Sequence, residues 1–117
     1  MNMDPSKSRW HHNLSLCYKG QGNLAAAEME SKTSIAMEPG YTEGIFHLAN
    51  IQKDMKRFDE CFVNYAKAIQ MQPKKANYHN NLGFAYFNAN KFGMAKDSFL
   101  ESARLNQKYP NPRSGLA

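Results

Sequence analysis

The sequence is poor in the residues that build disulfide scaffolds, metal sites and membrane segments. It has only two cysteines, Cys17 and Cys61, without the spacing of a metal site or the density of a disulfide framework. We interpret both as small apolar residues buried in helices. No apolar run approaches the length of a membrane span, and the polar start MNMDPSKSRW lacks the apolar segment of a signal peptide. We therefore expect a cytoplasmic protein that does not insert into a membrane.

Concentrated positive charge is also missing. The net charge is +5, but the 15 Lys and Arg residues are scattered, and the longest basic runs are pairs at 56–57 and 74–75. A nucleic-acid-binding surface usually needs a denser basic stripe. An ordinary solvated surface explains this charge better, so we do not expect nucleic acid as a partner.

The sequence contains no motif typical of catalysis or cofactor binding. The segment KGQGN at 19–23 lacks the Lys-Ser/Thr ending and the preceding strand of a phosphate-binding loop. Asp59 and Glu60 are adjacent on a predicted helix and diverge, so they do not form an acid/base pair. His12 and His47 can approach each other across neighbouring helices, but a third metal ligand is not evident. We predict that the protein is not an enzyme and uses no cofactor and no metal.

What the sequence does contain is an unbroken repeat of 34 residues. Stepping by 34 from Leu14 leads to Leu48 and then to Leu82, and many other positions match in the same register. Such a period is typical of repeat architectures in which each copy is one supersecondary unit. The predicted division is an N-terminal flexible segment (1–7), one domain (8–109) of three copies (8–41, 42–75 and 76–109), and a C-terminal tail (110–117).

Each copy has the pattern of two short helices. In the third copy, apolar residues have helical spacing over 76–88 and again from 92 to 106, and the intervening NAN favours a turn. Pro39 and Pro73 prevent helix continuation between copies. Gly83 in the middle of a predicted helix costs about 1 kcal/mol relative to Ala, which favours close packing of two antiparallel helices as its role.

Six residues at signature places of the 34-residue period mark the repeat in each copy, and four of these places are shared by all three lists. They are Leu14, Ser15, Tyr18, Ala27, Ser34 and Pro39 in the first copy; Leu48, Ala49, Cys61, Tyr65, Ala68 and Pro73 in the second; and Leu82, Gly83, Tyr86, Ala95, Phe99 and Ser102 in the third. These residues and their period resemble the tetratricopeptide repeat family. The resemblance implies an all-α fold, in which three antiparallel helical hairpins stack in a right-handed superhelix to form a solenoid.

The resemblance also implies a non-catalytic protein–protein interaction scaffold. In that family the first helix of each copy lines a concave groove, which binds a peptide or a helix of a partner protein. The side chains expected in this groove are Arg9, His12, Asn13, Phe46, His47, Asn50, Lys53, Asn77, Asn80, Asn81, Phe84 and Asn88.

The expected groove residues suggest how a peptide would be held. Asn13, His47 and Asn81 are equivalent by the 34-residue step, and in related members Asn in this row holds a peptide backbone. A side-chain amide both donates and accepts hydrogen bonds. The alternative is that these are ordinary solvated helix residues. Phe46 and Phe84 would supply apolar anchoring. The residues expected to attract acidic groups are Arg9, His12 and Lys53.

One subtype of the family binds the C-terminal carboxylates of heat-shock chaperones. Its clamp needs Lys and Asn in the first copy, Asn in the second, and Lys and Arg in the third. Here the first copy offers His12 and Leu16, and the third offers Asn77 and Asn81. The basic pair that would meet a carboxylate is absent, so we do not expect binding of that type.

The end of the third copy departs from the family pattern. Gln107 stands where the family usually has Pro, and the final NQKYPNPRSGLA is too short and too rich in Pro and Gly for a capping helix. A solenoid end without a polar cap exposes its stacking surface. This leaves two alternatives to groove binding: a homo-oligomer that assembles through uncapped ends and, less favoured, a nucleic-acid-binding module. The open end is also what a piece of a longer protein would show.

Overall fold

Six α-helices make up the part of the chain that this computed structural model describes, residues 5–106. The helices are α1 (Pro5–Gly20), α2 (Leu24–Met37), α3 (Thr42–Asp54), α4 (Phe58–Met71), α5 (Ala76–Asn88) and α6 (Phe92–Asn106). Consecutive helices pair into three hairpins, and the hairpins stack because α2 packs on α3 and α4 packs on α5. The predicted all-α solenoid of helical hairpins is confirmed.

The helix boundaries follow the sequence pattern closely. The two helices predicted in the third copy coincide with α5 and α6. The first helix begins at Pro5, inside the segment 1–7 that was predicted to be flexible, and proline is favoured in the first turn of a helix. The predicted tail, 110–117, lies outside the described residues.

The turn within each hairpin has the same backbone geometry in all three copies. Gly22, Lys56 and Asn90, each 34 residues apart, have positive φ values of 82°, 63° and 65°. In each copy the next residue's N–H donates to the carbonyl five residues before it, at 2.8 to 2.9 Å. Glycine adopts this conformation freely, whereas a lysine side chain opposes it. The packing of the two helices therefore imposes the turn at Lys56.

The hydrophobic core is centred on the second hairpin and on α5. In the first hairpin, Ser31 is fully buried at the position that holds Tyr65 in the second copy and Phe99 in the third. The first hairpin is therefore the least apolar of the three. The clustered core residues are Ile45, Phe46, Ala49, Cys61, Tyr65, Ala68, Tyr78 and Ala85.

Phe46 belongs to this core and does not line a groove. Its ring stacks on Tyr78 with centroids 4.3 Å apart and lies 5.9 Å from the ring of Tyr65. Only 9% of the residue is exposed. The expectation that Phe46 anchors a ligand was wrong, because side chains from α4 and α5 cover the face of α3 on which it lies.

Two buried histidines join α1 to α3. His47 Nε2 lies 3.2 Å from Ser15 Oγ, and the His12 and His47 ring centroids are 5.0 Å apart, edge to face. The only proton of the Ser15 hydroxyl goes to the carbonyl of Ala27 at 2.7 Å, so His47 Nε2 is the donor in its bond with Ser15. Burial lowers the pKa of His12 and lowers that of His47 to about 4, and the nearby groups His12 and Lys19 lower the pKa of His47 further.

Both rings are therefore neutral packing groups at neutral pH. Their predicted approach across neighbouring helices is confirmed, but their predicted place in a groove is corrected. His12 is 9% exposed and His47 is 6% exposed. Each side chain is enclosed between the two helices that it joins.

Gly83 allows α5 and α6 to approach each other. A Cβ atom at Gly83 would lie 2.7 Å from Cε1 and 2.8 Å from Cδ1 of Phe99. The ring of Phe99 therefore occupies the space that any side chain at position 83 would need. This contact explains the glycine in the middle of a helix.

Replacing Gly83 by Ala should lower the free energy of unfolding by about 1 kcal/mol. Overpacking against Phe99 costs about 1 to 3 kcal/mol, and the better helix propensity of Ala returns about 1 kcal/mol. Urea denaturation measures the difference. Gly93→Ala is the matched control, because a Cβ there meets nothing within 4 Å and should be neutral or stabilising. A Gly83→Ala protein as stable as the parent would contradict the packing role.

The free energy of unfolding should fall as the pH drops from 6.5 to about 4. In this window the unfolded chain protonates His47, whereas the folded chain resists protonation because burial lowers its pKa to about 4. The loss assigned to His47 is at most about 3 kcal/mol. Denaturation at several pH values measures it. His47→Gln should flatten the dependence, and an equal slope in this variant and the parent would refute the assignment.

Candidate functional site

The strongest candidate site lies between α3 and α5, and we call Asn50, Lys53, Asn81 and Phe84 the α3–α5 site. Asn81 Nδ2 donates a hydrogen bond of 2.9 Å to Asn50 Oδ1. The hydroxyl of Tyr65, a fully buried residue of α4, donates to the same oxygen. Both lone pairs of Asn50 Oδ1 are therefore used, and the orientation of its amide is fixed.

The two amides retain free hydrogen-bonding groups. Neither Asn50 Nδ2 nor Asn81 Oδ1 has a hydrogen-bond partner among residues 5–106. Both residues are half-buried, so these groups reach solvent. The pair thus presents a donor beside an acceptor, which is the complement of the carbonyl and the N–H of one residue in an extended chain.

Phe84 and Lys53 complete the site with an apolar face and a positive charge. Phe84 is 46% exposed, and its ring lies edge to face on Phe99 with centroids 5.0 Å apart. Lys53 Nζ lies 5.9 Å from the centre of the Phe84 ring. Burial lowers the pKa of Lys53, and the charge of Asp54 raises it. Lys53 has no ion-pair partner in the described part of the chain.

The row Asn13, His47 and Asn81 does not form the predicted ladder. His47 bonds to Ser15 of α1, and Asn81 bonds to Asn50 of α3. Each of these two side chains faces the first helix of the preceding hairpin and forms a hydrogen bond with it. Asn13 is exposed, since α1 has no preceding hairpin in the described chain. The row is therefore a contact between hairpins, and only Asn81 also contributes to the α3–α5 site.

The side chain of Arg9 is already paired within the protein. Its Nη2 lies 3.1 Å from Glu38 Oε2, and its guanidinium carbon lies 4.0 Å from the centre of the Tyr41 ring. Hydrogen bonds from Ser8 and Arg9 lower the pKa of the Glu38 carboxyl. Although Arg9 is exposed, its charge is already paired, so it is a poor candidate for attracting an acidic ligand.

The remaining predicted residues are spread along α5. Asn77 and Asn88 are exposed and Asn80 is half-buried. Asn77 and Asn88 lie 11 positions apart, about 16 Å along the helix axis, so they do not act on one group. Asn88 lines a surface depression with Lys53, next to the α3–α5 site, whereas Asn77 lies at the opposite end of the helix.

Tyr65 is the residue that sequence reasoning missed. Its position in the repeat predicts a packing aromatic, and its ring does pack in the core. The signal for a second role is the hydroxyl itself, because the equivalent residue of the third copy is Phe99. Most buried hydroxyls have a hydrogen-bond partner, and Asn50 provides one for Tyr65, whereas the hydroxyl of Tyr78 has none among residues 5–106.

Two further findings concern metal binding and membrane crossing by the described residues. No group of three or more His, Cys, Asp or Glu side chains within residues 5–106 is placed to hold a metal ion. None of the six described helices combines the length and the apolar character needed to cross a bilayer.

Solved structures share this fold. The crystal structure of MamA superposes with a TM-score of 0.81 at 19% identity, covering 90% of this chain and 61% of that one. The first TPR of Spaghetti (RPAP3) bound to the HSP90 peptide SRMEEVD superposes with a TM-score of 0.83 at 17% identity, covering 97% of this chain and 90% of that one. At such low identity these likenesses concern the fold alone.

Two curated proteins are similar in sequence. The type IV pilus assembly protein PilF of Pseudomonas aeruginosa is 23% identical over 113 residues, which are 95% of this chain and 45% of PilF. Tetratricopeptide repeat protein 13 of Homo sapiens is 30% identical over 95 residues, which are 79% of this chain and 11% of that protein. The chain spans less than half the length of either relative.

The tetratricopeptide repeat family model matches residues 42–75 and 76–109, the same ranges as the second and third copies. The first copy lies outside the match, and it has Ser31 where the other two have an aromatic residue. Its helices nevertheless continue the same hairpin stack. The chain belongs to the tetratricopeptide repeat family, whose stacked hairpins serve as protein-interaction scaffolds.

Proposed function

We propose that this protein binds an extended peptide segment of a partner protein at the α3–α5 site. The observation that carries the proposal is the amide pair Asn50 and Asn81, oriented by the buried hydroxyl of Tyr65. Orienting these groups before binding reduces the entropy that a ligand would otherwise have to supply.

Each side chain of the site has a distinct role in this proposal. Asn50 Nδ2 donates to a peptide carbonyl, and Asn81 Oδ1 accepts from a peptide N–H. Since every residue of a peptide carries these backbone groups, the amides set the position of the chain without demanding a particular sequence. Phe84 contacts an apolar side chain, and the unpaired Lys53 favours an acidic group nearby.

The free groups favour an extended ligand over a helical one. The backbone donors and acceptors within an α-helix already bond to one another, so an amide pair gains little from a helix surface. An extended peptide leaves its N–H and carbonyl groups available. The geometry therefore supports the first of the two ligand forms that the family accepts.

The acidic tail of a chaperone is not the ligand that we propose. Of the positions that would form a carboxylate clamp, His12 is buried and uncharged at neutral pH, and Leu16 is apolar. In its third copy the clamp needs Lys and Arg, whereas this chain offers the uncharged residues Asn77 and Asn81. The single cation of the α3–α5 site, Lys53, cannot form the required pair.

Truncating the site should weaken peptide binding. An array of random peptides identifies the tightest ligand, whose affinity is then measured by fluorescence polarisation. Asn81→Ala should raise the Kd about 5-fold to 10-fold, because it removes one ligand bond and releases Asn50. Phe84→Ala should raise it about 10-fold, because it removes an apolar contact.

Matched controls separate the site from the rest of the surface. Asn13→Ala removes an exposed Asn of the same row, and Phe87→Ala removes an exposed Phe from the same helix. Both should leave the Kd unchanged. Parental affinity in Asn81→Ala and Phe84→Ala, or an array that retains no peptide, would refute the proposal.

Tyr65→Phe tests the orientation of the amide pair without touching the ligand. The ring stays in the core, but Asn50 loses its donor and can rotate. We expect the Kd to rise several-fold, while circular dichroism and a thermal melt show a folded protein at the assay temperature. Phe at the equivalent position of the third copy shows that the ring alone suits the hairpin. A folded Tyr65→Phe protein with unchanged affinity would rule out the positioning role.

A further inference from the structure

Two internal junctions show how one hairpin of this chain stacks on the next. At the junction of α2 with α3, Gln52 Nε2 donates a hydrogen bond of 3.2 Å to Glu28 Oε2. At the junction of α4 with α5, the rings of Phe62 and Tyr86 lie with centroids 4.7 Å apart. Glu28 and Phe62 are 34 residues apart, and so are Gln52 and Tyr86. The same pair of positions therefore meets at both junctions.

At the front of the stack, the corresponding surface of α1 is uncovered. Cys17 is exposed, whereas its equivalents Ile51 and Ala85 are each 0% exposed because the preceding hairpin covers them. The prediction that Cys17 is buried was therefore wrong, since no helix precedes α1 in the described chain. Trp10 on the same surface is 58% exposed. We call the residues Trp10, Leu14, Cys17 and Tyr18 the front face.

At the back of the stack, the surface that would receive a further hairpin is uncovered as well. Phe92 is 56% exposed and Leu100 is 59% exposed, and both line one surface depression. Phe58, the equivalent of Phe92, is half-buried and packs against the core. We call the residues Phe87, Phe92, Lys96, Phe99, Leu100 and Ala103 the back face.

The two faces complement each other at the positions that meet inside the chain. Lys96 on the back face is equivalent to Glu28 and Phe62. Tyr18 on the front face is equivalent to their partners, Gln52 and Tyr86. A lysine can lay its aliphatic stem and its ammonium group on a tyrosine ring. This pairing would take the place that the hydrogen bond and the ring contact hold at the two internal junctions.

A second pair of positions in the same register combines residues of different size from one junction to the next. Inside the chain, a Cβ at Gly44 would lie 3.5 Å from Cγ1 of Ile35, so a missing side chain faces a large one. The equivalent residues at the two ends are Trp10 and Ala103. There the sizes are reversed, and the large indole faces a small methyl group. At the junction of α4 with α5 the equivalent residues are Ile69 and Tyr78, so these positions accept more than one combination of sizes.

We propose that the back face of one copy of this protein binds the front face of a second copy, repeating the internal junction. The contact is head to tail, so each bound copy still offers one free face, and assembly grows with concentration. In the same register Phe84, the equivalent of Asn50, would lie next to Asn13 of the second copy, so the contact borders the α3–α5 site without including Asn50, Lys53 or Asn81. The proposal does not rest on peptide binding, because its observations concern the two end faces.

Sedimentation velocity over a concentration series, with the full chain, measures the assembly. The single tryptophan of the sequence, Trp10, reports on the same contact, because its emission should shift to shorter wavelength as the front face is covered. We expect larger species and this shift to appear together as the concentration rises. A monomer with unchanged emission at all concentrations would overturn the proposal. The same result would follow if residues 107–117 covered the back face of their own copy, and it would overturn the proposal in that case too.

Complementary variants test the direction of the contact. Trp10→Glu blocks the front face and Leu100→Glu blocks the back face, both at exposed positions, and each should weaken self-association by about tenfold or more. Mixed together, the two variants should form a dimer and nothing larger, because only one productive pair of faces remains. Val63→Glu, at an exposed apolar residue of neither face, should assemble like the parent. Undiminished self-association of Trp10→Glu alone, or no dimer in the mixture, would contradict the head-to-tail arrangement.

Discussion

The burial of each hairpin's first helix against the second helix of the hairpin before it is the contact on which the rest of the structure depends. A two-helix hairpin has too little interior to bury its apolar residues alone, so each one is completed by its neighbours. The middle hairpin is covered on both sides and holds most of the core. The two outer hairpins each keep one stacking surface exposed, which is why Trp10 and Leu100 are in solvent.

The same contact decides where polar groups remain available. At the junction of α1 with α3, His12, Ser15 and His47 fill the space between the helices, and little is left for a ligand. At the junction of α3 with α5, two asparagines fill the equivalent space and keep one donor and one acceptor free. One repeat position therefore yields packing in one place and a candidate site in another, according to the side chains that meet there.

Much of the fold, and part of the site, could be predicted from the sequence pattern. The 34-residue register and Gly83 indicate hairpins with close helix packing, and they place Asn50, Asn81 and Phe84 on the first helices. The burial of Phe46 could not be predicted in the same way. Register states which face of a helix a residue occupies, but covering that face requires side chains that are distant in the chain, here Tyr65 and Tyr78.

The sequence by itself determined the repeat, the helices and the order in which they pair, because periodicity and helix-breaking residues are local properties. Only the tertiary structure decided which polar side chains stay free. That outcome depends on pairs such as Tyr65 with Asn50, whose geometry forms when three helices pack together. The turn at Lys56 has the same origin, since helix packing imposes a backbone conformation that the lysine alone does not favour.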